Sequence, residues 1–323
     1  MIVTVTANPS LDRTVVLPGV LERGAVVRAL GTRSEPGGKG INVSRVAQVA
    51  GVATTAILPA PAGDPLLLGL DAVGLHHRTV EIADEVRTNI TVTEPDGTTT
   101  KLNLPGATLG PAQIDGLFSL VLDVAEDADW VALCGSLPPG VPADLYARIA
   151  AALSGSRCRV AVDTSGAPLA ALVGALADGS VDLIKPNTEE LCEITGADVA
   201  DLDSAAAGGD FTPTLDAARS VVGSGGCAVL ATLGAAGALL VTADGAWQAS
   251  PPPITPVSTV GAGDATLAGY LLADMAGHGP AEALRAAVAH GSAAAALPGT
   301  QPPSPGDLAL HAVRVSEVST PFV

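Results

Sequence analysis

Short apolar runs that each stop at a polar or glycine-containing turn constrain this chain more than any other feature. The runs fall at residues 2–7, 130–134, 160–163, 181–184 and 228–233, with helical patterns between them. Their turns are Asn8-Pro9-Ser10, Gly135-Ser136-Leu137-Pro138-Pro139-Gly140, Thr164-Ser165-Gly166, Lys185-Pro186-Asn187 and Gly234-Ala235-Ala236-Gly237. Alternating strand and helix signals predict an α/β fold with a mainly parallel central sheet. Ligands of such sheets bind outside the carboxyl ends of the strands, so five turns on one edge predict an active-site rim. Apolar residues make up 48% of the 323 and aromatic ones only 2%, so Ala, Val, Leu and Ile must build the core.

Two regions break the alternation. Residues 12–34 contain Thr14-Val15-Val16-Leu17 and Ala25-Val26-Val27-Arg28, which read as strands with no helix between them. Residues 87–104 read as a hairpin, with strands near 89–93 and 99–103 around Glu94-Pro95-Asp96-Gly97. Together they predict a small antiparallel β sheet projecting from the main domain, as a lid, a dimer clasp or both; the length allows one large α/β domain or two smaller ones. Residues 201–214, rich in Ala, Gly, Asp and Pro, read as an exposed loop.

The sharpest chemical signal is Val257-Ser258-Thr259-Val260-Gly261-Ala262-Gly263-Asp264. Leu267, Leu271, Leu272 and Met275 follow at helical spacing, which puts the Gly-Ala-Gly bend at a helix N-terminus. Free N–H groups and the positive dipole end make that terminus a site for an anion, typically a phosphate. Asp264 stands beside it, placed to take a proton from a hydroxyl that attacks phosphorus. The plainer alternative is a loop whose Asp only complements the helix dipole. Neither nucleotide loop of common type is present: no Walker A ending follows the bend. The run Pro251-Pro252-Pro253-Ile254-Thr255-Pro256 before it cannot be the central strand of a dinucleotide fold.

With 33 acidic against 16 basic side chains, the net charge is −17, which disfavours nucleic acid and anionic membranes as partners. Only three of the basic residues are lysines, Lys39, Lys101 and Lys185, each beside a glycine bend or turn. Such placement suits anionic ligands; chance placement in an arginine-biased chain is the alternative. The four cysteines are widely spaced, with no Cys-x-x-Cys, and read as reduced thiols rather than a zinc site. No secretory-type N-terminal segment or membrane span is read, so the expected location is the cytoplasm.

The motifs Gly37-Gly38-Lys39-Gly40-Ile41-Asn42-Val43 and Thr259-Val260-Gly261-Ala262-Gly263-Asp264 resemble the two signatures of the PfkB (ribokinase-like) carbohydrate kinases. Asn8-Pro9-Ser10-Leu11-Asp12, Gly135-Ser136-Leu137-Pro138, Lys185-Pro186-Asn187 and Leu233-Gly234-Ala235-Ala236-Gly237 fall in that family's order, so the likeness covers nearly the whole chain. It implies a single ribokinase-like domain over 1–323, a three-layer sandwich with a mainly parallel central sheet and a small antiparallel β lid from about 12–34 and 87–104. Ile41-Asn42-Val43-Ser44-Arg45 and Arg87-Thr88-Asn89 resemble the phosphosugar branch. A substrate that already carries a phosphate needs fixed cations, for which Lys39, Arg87 and Lys101 are candidates. For Arg87 and Lys101 a solvated hairpin face is the alternative.

The resemblance further implies Asp264 as base, with the amides of Gly261, Ala262 and Gly263 holding charge on the transferring phosphoryl group. Asp12, Asn42 and Asn89 would meet the sugar, and Gly37 and Gly38 would let it lie close to the backbone. Thr232, Leu233, Gly234, Ala235, Ala236, Gly237 and Ser258 would line the ATP pocket, with Lys185 at the phosphates. Asn187 and Glu190 match the family's magnesium-associated Asn-x-x-Glu, although Glu190 also suits an ordinary first-turn acid. The implied reaction is ATP-dependent phosphorylation of a ketohexose phosphate, foremost D-fructose 1-phosphate. Tagatose 6-phosphate and fructose 6-phosphate are alternatives, and a non-catalytic sugar-phosphate sensor is the reading from another class. A homodimer through the lid is also implied. One segment departs from the usual pattern: Leu58-Pro59-Ala60-Pro61-Ala62-Gly63-Asp64-Pro65 is closer to family members acting on fructose 6-phosphate, which bears on where the substrate phosphate sits.

Overall fold

A computed structural model describes residues 1–318. The chain opens with β1 (Ile2–Thr6) and leaves the main body as β2 (Ser10–Val16) and β3 (Gly31–Gly37). It returns through α1 (Lys39–Val49), β4 (Thr54–Pro59), α2 (Pro65–Ala72) and β5 (His77–Val80). A second excursion makes β6 (Arg87–Thr93) and β7 (Thr99–Leu102). Strand and helix then alternate through α3 (Pro111–Ala125), β8 (Trp130–Cys134), α4 (Leu145–Leu153), β9 (Arg159–Asp163), α5 (Ala167–Gly174), β10 (Leu183–Ile184) and α6 (Thr188–Thr195). The last part comprises α7 (Val199–Ala207), α8 (Thr212–Gly225), β11 (Ala228–Thr232), β12 (Ala238–Val241), β13 (Ala246–Ser250), α9 (Ala262–Met275), α10 (Pro280–Ala295) and β14 (Arg314–Glu317).

The main sheet runs β14-β13-β12-β11-β10-β9-β8-β1-β4-β5. It is parallel from β11 to β5 and antiparallel from β11 to β14. Side chains of one strand alternate between two cores. Val3 and Val5 join Leu117, Ile149, Leu191 and Leu215 on one face, while Ile2 joins Val43, Leu267, Leu271 and Leu284 on the other. Both faces are therefore covered by helices, as parallel strands require. The result is the expected three-layer sandwich. Strands β1, β8, β9, β10 and β11 are neighbours and parallel, so their five turns share one edge of the sheet.

The small sheet runs β3-β2-β6-β7. Its two antiparallel pairs are joined by parallel pairing of β2 with β6, from Ser10 opposite Arg87 to Val16 opposite Thr93. Residues 25–28 are not a strand: the partner of β2 is β3, in the register Ser10 to Gly37 and Val16 to Gly31. Val26 is 97% exposed, so the apolar run has nothing to bury against, and β propensity without burial does not make a strand.

The expected loop over 201–214 is largely helical. Asp198 caps α7 by accepting from Asp201 N at 3.1 Å, and Leu202 and Ala206 point into the core at i, i+4. The departing segment after β4 also has a structural role. Buried Asp64 caps α2 through Leu66 N at 2.8 Å and accepts from Val86 N at 3.1 Å, just before β6. Among the described residues no helix is long and apolar enough to cross a membrane.

Candidate active site

The second motif folds as its residues dictate. Gly261 takes φ 80°, a left-handed conformation open to glycine, and so turns the chain into α9. Asp264 occupies the first turn of α9, where the N–H groups have no intrahelical acceptors. Its carboxylate is only 7% exposed and accepts from Asn42 Nδ2 of α1 at 2.8 Å. The other amide atom, Asn42 Oδ1, is buried without a hydrogen-bond partner. Burial, then the charge of Asp163, pushes the Asp264 carboxyl up to about 6, against the opposing pull of Asn42, Lys39 and Lys185.

Asp163 closes β9 and is 1% exposed. It takes Lys39 Nζ on Oδ1 at 2.7 Å and Lys185 Nζ on Oδ2 at 3.0 Å. Burial alone would raise its proton affinity, but the ammonium groups of Lys185 and Lys39 outweigh it and hold the carboxyl below the usual range. Lys39 also faces Glu190 Oε1 at 3.6 Å. Lys185 is 4% exposed, and its Nζ would lie 3.5 Å from a Cβ on Gly263, so it borders the glycine turn. Two of the three lysines thus converge, from α1 and from the turn after β10, on one carboxylate of β9. Sequence reasoning missed Asp163. The signal was there: an acidic residue ending the apolar run Val160-Ala161-Val162, on the edge where ligands bind.

Asn187 and Glu190 are committed to each other in a capping box at the start of α6. Asn187 Oδ1 accepts from Glu190 N at 2.8 Å, and Glu190 Oε2 from Asn187 N at 2.9 Å. Glu190 Oε1 stays outside the cap, beside Lys39. No group of three or more His, Cys, Asp or Glu among the described residues is placed to hold a metal. The residues expected to line the nucleotide pocket flank this cap. Thr232 N donates to Pro186 O at 2.9 Å, and the exposed Gly234 and Ala235 lead to Gly237, whose N–H donates to Gly234 O. Ser258 Oγ accepts from Val260 N, before the glycine turn.

The small sheet places the remaining residues. Asp12 Oδ1 accepts from Ser10 Oγ at 2.7 Å and from Asn89 Nδ2 at 3.0 Å. A Cβ on Gly37 would overlap the Asp12 carboxylate, so a larger residue there would push that carboxylate aside. Register and alternation put Ser10, Asp12, Arg87, Asn89 and Lys101 on one face, with Lys101 opposite Thr91 and beyond Asn89. Arg87 is more occupied than a free phosphate clamp. It donates to Asn8 O at 3.0 Å, Pro9 O at 3.4 Å and Leu104 O at 2.8 Å, while burial lowers its proton affinity. Asn8 Nδ2 donates to Pro105 O at 3.0 Å and Ser136 Oγ at 3.3 Å. Arg87 and Asn8 therefore pin both roots of the small sheet. Lys101 stands exposed on β7, outside the buried cluster.

Comparison with known proteins gives this geometry a chemical context. Residues 6–307 match the pfkB family of carbohydrate kinases. The 1-phosphofructokinase of Rhodobacter capsulatus is 37% identical over 326 residues, covering 100% of this chain and 99% of that protein. The ATP-dependent 6-phosphofructokinase isozyme 2 of Escherichia coli K12 is 35% identical over 304 residues, covering 93% and 94%. The solved structure of Escherichia coli phosphofructokinase-2 in complex with fructose-6-phosphate superposes with a TM-score of 0.83 at 32% identity, over 95% and 96% of the two chains. The chain belongs to the PfkB family of carbohydrate kinases, phosphotransferases that act on a hydroxyl group and use ATP.

Proposed function

We propose that the protein phosphorylates D-fructose 1-phosphate, giving fructose 1,6-bisphosphate and ADP. The observation that carries the chemistry is the buried Asp264–Asn42 pair at the mouth of the glycine turn, with Lys185 beside it. The substrate assignment rests on the full-length likeness to a 1-phosphofructokinase and on Ile41-Asn42-Val43 after the Gly-Gly-Lys-Gly bend. The likeness to a 6-phosphofructokinase at 35% identity, with the departing segment at 58–65, favours fructose 6-phosphate as the second reading.

In this reading Asp264 takes the proton from the acceptor hydroxyl as its oxygen forms a bond to the γ-phosphorus of ATP. The bond from phosphorus to the bridging oxygen breaks, and ADP leaves with that electron pair. A carboxyl near 6 is ionised at neutral pH yet basic enough to assist the transfer. The amides of Gly261, Ala262 and Gly263 stabilise charge spreading over the phosphoryl oxygens. Asn42 holds Asp264 through its nitrogen, which leaves Oδ1 to accept from a sugar hydroxyl. Asp12 and Asn89 orient the other hydroxyls, and Gly37 and Gly38 form the close wall.

Lys39 and Lys185, held ready by Asp163, meet phosphate oxygens once ligands enter. Arg87 has five N–H donors and spends three on carbonyls, so it serves first as a lid pin and can still offer donors to the substrate phosphate. Lys101 approaches from the lid face. Residues 232–237 and Ser258 line the nucleotide. Mg²⁺ arrives with ATP as part of the substrate, and keeps several waters when held mainly by phosphates. Glu190, whose Oε1 lies outside the capping box, would hold that ion, with Asn187 positioning it through the cap.

The chain works as one kinase domain with its β lid. A homodimer forms through the outer lid face, where Leu102 is 54% exposed and β3 and β7 are open edges. Four buried free cysteines suit the reducing cytoplasm.

The test is ADP release with Mg-ATP and fructose 1-phosphate, fructose 6-phosphate or tagatose 6-phosphate in parallel. Fructose 1-phosphate is expected to give by far the highest kcat/KM. A higher value for another sugar phosphate would overturn the substrate assignment and leave the chemistry standing. Binding without turnover by any of the three would favour a sensor.

A further inference from the structure

One polar cluster joins the lid to the glycine turn and has no part in the mechanism above. Arg45 sits on α1 one turn after Asn42, partly buried, and its Nη1 donates to Thr300 Oγ1 at 3.2 Å. Thr300 follows α10 and backs the glycine turn: a Cβ on Gly261 would lie 3.7–3.8 Å from Thr300 atoms. The other flank of the turn rests on the same helix end, because Val257 N and Ser258 N donate to Ala295 O at 2.8 and 3.2 Å. The end of α10 and the segment that follows it to Thr300 thus flank the turn on both sides. Arg45 ties that segment to α1, the helix that carries Asn42 to Asp264.

The cluster continues into the lid. Glu35 on β3 has a side chain only 16% exposed and accepts from Arg33 Nη2 at 2.7 Å. Its Oε2 would lie 3.0 Å from a Cβ on Gly299, the residue before Thr300. Burial disfavours the Arg45 charge; Glu35 supports it and Arg33 opposes it. The lid strand β3 leads within two residues into α1, so any shift of the lid moves Glu35 against the segment that Arg45 holds.

We propose that Arg45 is a positioning residue that fixes the Gly261 turn through Thr300 and couples it, through Glu35, to lid strand β3. The physical reason is geometric. The turn's amides must aim at the transferring phosphoryl group, and an error of about 1 Å can cost on the order of 100-fold in rate. A turn supported from the lid side is best aligned when the lid is in place.

Full-length Arg45→Ala, Arg45→Lys, Thr300→Val and Glu35→Gln variants test this by steady-state kinetics and amide hydrogen exchange. Arg45→Ala is expected to lower kcat about tenfold, keep the KM for ATP within about twofold, and speed exchange in residues 257–264. Thr300→Val, which keeps the shape and removes the acceptor, should do the same if the alanine variant folds poorly. Arg45→Lys should recover part of kcat, and Glu35→Gln should raise the KM for the sugar phosphate. Unchanged kcat and unchanged exchange in 257–264 with only a lower Tm would overturn the proposal, as would a lysine variant no better than alanine. Whichever sugar phosphate the wild type turns over serves as acceptor, and exchange needs no turnover. A wrong substrate assignment would therefore show separately.

Discussion

The floor of the site and its lid are built on opposite principles. On the floor, Asp163, Lys39 and Lys185 are charges held in place by each other, with Asp163 and Lys185 at 4% exposure or less and Asp264 buried beside them on Asn42. Low local dielectric makes each interaction strong, and makes removal of one partner costly. The lid has almost no core of its own. Its residues reach the site through strand register and through hydrogen bonds to main-chain carbonyls at its roots. The floor is thus held by buried charge pairs, and the small sheet, the proposed lid, by hydrogen bonds at its roots. Rate should depend on the first and substrate affinity on the second.

The strongest way to break that comparison is Asp264→Asn. It should lower kcat by about 10³-fold while leaving substrate affinity nearly unchanged. The wild type should show an acid limb in kcat/KM near pH 6, because a raised carboxyl keeps its proton until that point. The same sign predicts a gain in stability. A folded-state value raised above the ordinary one, near 4, means that stability falls as pH rises through that window, so removing the charge should raise Tm at pH 7 by a few degrees. A variant with normal kcat would remove Asp264 from the mechanism.

Asp163→Asn comes next. Leaving two lysines without their shared carboxylate should cost about 3 kcal/mol in urea unfolding and lower kcat by about 100-fold. Loss of stability with normal kcat would make the cluster a fold element only. Arg87→Ala should mainly raise the KM for the sugar phosphate, by about tenfold, with the KM for ATP little changed. An equal loss in kcat would mean that the lid roots are part of the floor. The smallest effect expected is for exposed Lys101→Ala, about threefold in the same KM. If Lys101→Ala exceeds Arg87→Ala, the substrate phosphate sits farther out on the lid than Arg87.

Much of the site could be read from the chain because its residues lie in local motifs. The turn 257–264 and the helix at its end follow from glycine, proline and apolar spacing alone, although α9 already begins at Ala262 and takes Asp264 into its first turn. The hairpin around Glu94-Pro95-Asp96-Gly97 likewise emerged as β6 and β7. Residues 25–28 and 201–214 were misread for opposite reasons. The first has strand propensity with no surface to cover. The second has loop-like composition, but Leu202 and Ala206 find a core to enter.

The sequence by itself determined the alternation of strands and helices, the edge on which the turns gather, the glycine turn and its adjacent carboxylate. These depend on backbone conformation and on periods of two to four residues. Tertiary structure alone decided that Lys39 and Lys185, 146 positions apart, share Asp163. It also decided that Asn42 grips Asp264 across 222 positions, and that Arg87 spends its donors on carbonyls. Charge pairing and desolvation act through space, so they exist only once the sheet has brought distant turns to one edge.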